Sequence, residues 1–143
     1  GPRSRYPGVR AEVIHLALES WVDGVLGEGF AARRLEAGAT TVAGPHGALL
    51  RSIAAEERDH AQLSADIVDW LATSHPVLVR TALRRCARRV RASCSPMGRV
   101  GLSPRELRRA GFADHVAAEE LWQQERRAAL ERVERLLCSG RGG

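Results

Sequence analysis

Leu50-Arg51-Ser52-Ile53-Ala54-Ala55-Glu56-Glu57-Arg58-Asp59-His60-Ala61-Gln62-Leu63-Ser64-Ala65-Asp66-Ile67-Val68-Asp69-Trp70-Leu71 is the stretch that decides the reading of this chain. Leu50, Ile53, Ala54, Ala61, Ser64, Ile67, Val68 and Leu71 recur at helical spacing, and the gap in that series is filled by Glu57 and His60. A glutamate and a histidine three residues apart therefore fall on the stripe that a helix turns toward its neighbours. An inward carboxylate without a partner costs several kcal/mol or takes up a proton, so the pair needs a counter-group. A divalent cation supplies one for both side chains, and a local Glu–His hydrogen bond is the plainer alternative.

The preceding segment repeats the pattern. Its stripe runs Ile14, Ala17, Leu18, Trp21, Val25, Glu28, Ala32 and Leu35, so Glu28 holds a core-register position as Glu57 does. Gly24, Gly27 and Gly29 surround it with little bulk, which allows a second helix or an ion close approach at some cost in helix propensity. Glu28, Glu57 and His60 are the candidate metal ligands. Glu19 and Asp23, nearer the edge of the first stripe, are runners-up as ligands or as acceptors that orient the imidazole, and Glu56, beside Glu57, is a further candidate for such an acceptor. Carboxylates with imidazole suit iron or manganese better than zinc.

One glutamate from one helix and Glu-x-x-His from the next is half of the ligand set of ferritin-like di-metal bundles. The run Leu18-Glu19-Ser20-Trp21-Val22-Asp23-Gly24-Val25-Leu26-Gly27-Glu28-Gly29-Phe30, followed by Ile53-Ala54-Ala55-Glu56-Glu57-Arg58-Asp59-His60-Ala61, resembles the second half of bacterial ferritin-like, rubrerythrin-related proteins. The resemblance covers roughly residues 9 to 73. It implies a ferritin-like antiparallel bundle that binds iron or manganese and supports oxygen- or peroxide-dependent redox chemistry of ferroxidase, peroxidase or oxygenase type. The chain departs from those relatives in lacking an earlier helix pair with its own glutamate and Glu-x-x-His. The expectation is then either a homodimer or other partner that supplies the missing half, or a metal-free helical scaffold or interaction module on the same fold.

Composition agrees with an all-α class. The chain has 143 residues, 44% hydrophobic and only 4% aromatic, with few β-branched runs. That length supports a single domain over residues 1–143, with a core from about 9 to 137 and a flexible tail from 138. Apolar runs fall short of a membrane span and no secretory leader is legible, so a cytoplasmic protein is the default expectation. All 22 basic residues are arginine, and the formal net charge is +5. The densest basic stretch, Arg80, Arg84, Arg85, Arg88, Arg89 and Arg91, leaves an apolar strip at Val79, Leu83, Cys86 and Val90. It reads as the solvated face of a helix rather than a nucleic-acid surface, because no recognition motif accompanies it. Cys86, Cys94 and Cys138 match no zinc or disulfide spacing.

Punctuation predicts four main helices and a short one. They run over about 9–37, 45–72, 76–93 and 113–137, with Ser103-Pro104-Arg105-Glu106 as the capping box of the short helix. The first two form a long hairpin with Glu28 and Glu57 side by side in the interior. Val116, Trp122, Ala129, Val133 and Leu136 are expected to face inward from the last helix.

Overall fold

In a computed structural model of the chain, residues 7–95, 103–109 and 114–139 are described, and all the regular structure among them is helical. Helix α1 (Pro7–Glu19) passes without a break into a π-helical segment (Ser20–Glu28) and then into α2 (Gly29–Ala39). Helix α3 (Gly44–Ser74) returns alongside, followed by α4 (Pro76–Arg91), α5 (Pro104–Arg109) and α6 (His115–Ser139). At 31 residues α3 is about 46 Å long and runs against α1, the π segment and α2. The loop Gly98 to Gly101 and the tail beyond Ser139 lie outside the described residues.

The π segment is the main departure from the expected regular helix. Buried positions there recur every five residues, as Ser20, Val25 and Phe30, as Trp21 and Leu26, and as Gly24 and Gly29. That is the period of an i→i+5 ladder, whose wider turn brings more of the chain onto one face than an α-helix does. Glycine makes the close approach possible. A Cβ on Gly24 would lie 2.1 Å from the Ser64 hydroxyl of α3, and one on Gly29 would lie 2.2 Å from the Glu125 carboxylate of α6.

α4 and α6 cover one side of the α1–α2/α3 hairpin. Trp21, Leu26, Val68, Leu71, Val79, Leu83, Trp122 and Val133 form the core, with Phe30 and Trp122 packed edge to face at 5.3 Å between ring centres. The apolar strip expected on α4, Val79, Leu83, Cys86 and Val90, is buried as read. Burial also pushes the Cys86 thiol up from its ordinary pKa. From α6, Trp122, Ala129 and Val133 are buried, but Val116 is exposed, against expectation, because it lies on the other side of the first turn from Ala118, which faces the core.

The helix ends follow local chemistry. Ser103 and Glu106 form the expected capping box: the Glu106 amide donates to the Ser103 hydroxyl at 3.2 Å and the Ser103 amide to the Glu106 carboxylate at 2.7 Å. Asp114 caps α6, its carboxylate accepting from the Ala117 amide at 2.9 Å, so the helix begins just beyond the expected Ala113. His75 ends α3 and precedes Pro76 at the start of α4, without a side-chain cap bond. Across the hairpin, Arg58 donates two hydrogen bonds to the Glu36 carboxylate at 2.7 and 2.9 Å, and this holds the Glu36 carboxyl below its usual pKa.

Candidate metal centre

Glu28 ends the π segment, and Glu57 and His60 stand one turn apart near the middle of α3. Because the two elements pack side by side, one ligand atom from each of the three residues lies within 4.8 Å of the other two. His60 Nδ1 is 3.9 Å from Glu28 Oε1. Donors each about 2.1 Å from one ion lie about 3 to 4.2 Å from one another. Closing the group on a cation therefore needs side-chain movements of roughly an ångström or two. Two carboxylates and one imidazole also leave coordination positions open for iron or manganese, which favour five or six donors.

The interior placement expected for this group needs correction. His60 has a side-chain exposure of 59% and Glu28 of 35%, and Glu57 is half-buried. α4 and α6 both pack on other faces of the hairpin, so the cluster lies at an open rim. A hydrated rim also explains how two carboxylates can approach each other without a counter-charge inside the chain. The expected orienting residues are elsewhere. Glu19 is exposed and pairs with His15 at 3.2 Å, while Asp23 and Glu56 are exposed and take no part in the cluster.

The surface around His60 carries a feature that the sequence reading passed over. Leu49, Leu63 and Trp70 are spaced by multiples of seven on α3, with side chains turned away from the core, and are 56%, 60% and 65% exposed. Ile53, His60 and Ile67 occupy the adjacent column, four residues on from Leu49, Glu56 and Leu63. α3 thus has two apolar faces. One packs into the core; the other is open and contains His60, with Glu57 at its edge.

Among the described residues the one buried carboxylate, Glu125, belongs to a different arrangement. It packs on Gly29 and accepts from the Arg33 guanidinium, which also donates to Gln124 at 3.2 Å. It ties α6 to α2 and is not part of the Glu28, Glu57 and His60 cluster. Comparison with models of protein families, with curated proteins and with solved structures gives no match to this chain.

Proposed function

We propose that the chain is a ferritin-like metal-binding protein in which Glu28, Glu57 and His60 form half of a di-metal centre. The convergence of these three side chains from two elements carries the reading. They are separated by up to 32 positions in sequence, and the composition of the set matches half of a carboxylate-bridged pair of ions. The π-helical turn ending at Glu28 adds support, since such turns concentrate at functional sites.

Three donors satisfy neither ion of such a pair, and a second copy is the simplest source of the rest. A two-fold axis near His60 would pack the outer apolar face of one α3 against the same face of its partner and duplicate every ligand. Leu49, Leu63 and Trp70 would leave water in the same event. Glu28, Glu57 and His60 of each copy would then hold the ions. When bound as ferrous ions, the metal pair supplies the electrons that reduce dioxygen or peroxide. The protein's own part would be to bring the Glu28, Glu57 and His60 side chains of each copy together at one place. Ferroxidase, peroxidase and oxygenase outcomes share this arrangement.

Anaerobic titration with ferrous or manganous ions tests the proposal. Saturable binding at one ion per chain, lost in Glu57→Ala and in His60→Ala, is expected. Absence of saturable binding in the wild-type protein would leave the metal-free scaffold as the better reading.

A further inference from the structure

Helix α4 contains six arginines and no acidic residue, and only Arg91 forms an ion pair among the described residues, with Glu134 at 3.0 Å. Its buried strip is already spent on the core. Between α4 and α1, however, lies a groove of about 410 Å³ with an aliphatic floor that includes Ile14, Leu18 and Leu78. Arg85 and Arg89, one helical turn apart, stand on one wall, and Arg10 of α1 stands on the other. No carboxylate lines the groove. None of Arg10, Arg85 and Arg89 is in an ion pair among the described residues. An apolar trough flanked on both walls by unneutralised cations asks for an occupant that is apolar along one line and acidic on either side of it.

We propose that this groove receives an acidic amphipathic helix of a protein partner, independently of whether the rim cluster binds metal. The groove's α4 wall from Val77 to Arg89 is about 18 Å long, the length of three to four helical turns. A helix with apolar residues at i, i+3, i+4 and i+7 would lay that stripe on the floor and bring flanking glutamates to the level of the three guanidiniums. Nucleic acid fits less well, because among the described residues no aromatic ring lines the groove for bases to stack on. A membrane surface also fits less well. The floor is sunk between two helices, and the main apolar strip of α4 faces the core, leaving Val77 as the exposed large aliphatic residue of this helix.

The test uses the whole chain and a fluorescein-labelled peptide of about five turns, with leucine in the i, i+3, i+4, i+7 register and glutamate on both flanks. A companion peptide carries lysine in place of glutamate. Anisotropy should show saturable binding of the glutamate peptide and at least about ten-fold weaker binding of the lysine peptide, because two surface ion pairs together weigh about that much. Arg85→Glu with Arg89→Glu should weaken the glutamate peptide by about ten-fold or more, and Ala82→Trp, which fills the groove, should do the same. Arg10→Glu on the opposite, exposed wall supplies a third variant should either of the others melt early by circular dichroism. Equal affinity for both peptides, no binding of the glutamate peptide, or binding that ignores these substitutions would overturn the proposal. So would tight association with duplex DNA or with phosphatidylglycerol vesicles that the same substitutions abolish while the peptide fails to bind.

Discussion

Replacing Glu57 by alanine separates a metal ligand from a structural carboxylate, because the two roles give opposite signs. Among the described residues Glu57 makes no hydrogen bond or ion pair, and the Glu28 carboxylate, of like sign, comes within 4.8 Å of it. Two carboxylates at that distance repel by about 1 kcal/mol in a fully hydrated setting. Removing one therefore leaves the metal-free fold unchanged or more stable by up to about 1 kcal/mol, as the substitution breaks no bond. With metal the order inverts. An ion present at about one hundred times its dissociation constant stabilises the wild-type fold by about 2.7 kcal/mol, which for a domain of this size raises Tm by roughly 8 °C. Glu57→Ala should show none of that rise. Thermal melts of both proteins under anaerobic conditions, with and without ferrous ions, make the comparison. A metal-free Glu57→Ala protein that melts well below wild type, together with a wild-type Tm that ignores added metal, would refute the reasoning.

Other outcomes follow from the same geometry. Gly24→Ala should destabilise the fold by about 1 to 3 kcal/mol, read from denaturant midpoints, because its new Cβ would lie 2.3 Å from the Ser64 Cβ and force the π segment away from α3. Glu125→Ala strips Arg33 of its buried partner and should cost about 1 to 3 kcal/mol in the same assay. The Glu36 carboxyl is held below its ordinary pKa first by the hydrogen bond from Arg58, so its stabilising contribution is present above the unfolded value and is lost as pH falls through the lower folded value. Stability measured from neutral pH downward should therefore fall below about pH 4.5, and Glu36→Gln should flatten that fall. Leu63→Arg places a charge on the outer face of α3 and should leave the melting of the single chain nearly unchanged while abolishing self-association.

Much of the fold was legible because its signals are local. The apolar period, the Ser103–Glu106 capping box and Pro76 each act within a turn or two, and the helices begin and end within a few residues of where those signals fall. The convergence of Glu28, Glu57 and His60 was legible for a related reason: Glu28 and Glu57 each interrupt an apolar stripe, and two interrupted stripes on a hairpin meet. What the 3.6-residue period hid was the π segment. Its evidence was present in the pairs Trp21 and Leu26, Val25 and Phe30, which repeat at five residues, but a search for α-helical spacing absorbs such residues as neighbours. The exposure of these three side chains was also hidden, because a stripe reports which side of a helix is apolar and not which later helices cover it. Leu49, Leu63 and Trp70 were the missed sign that α3 has a second apolar face and that His60 lies on it.

The account turns on whether two half-sites meet. Light scattering during size-exclusion chromatography, with elemental analysis of the same eluting peak after anaerobic loading with ferrous ions, measures chain number and metal number together. The account predicts a species of two chains, or an assembly of such pairs, carrying one iron per chain, with both the pairing and the iron lost in Leu63→Arg. A single chain eluting without iron under conditions of excess metal would contradict it.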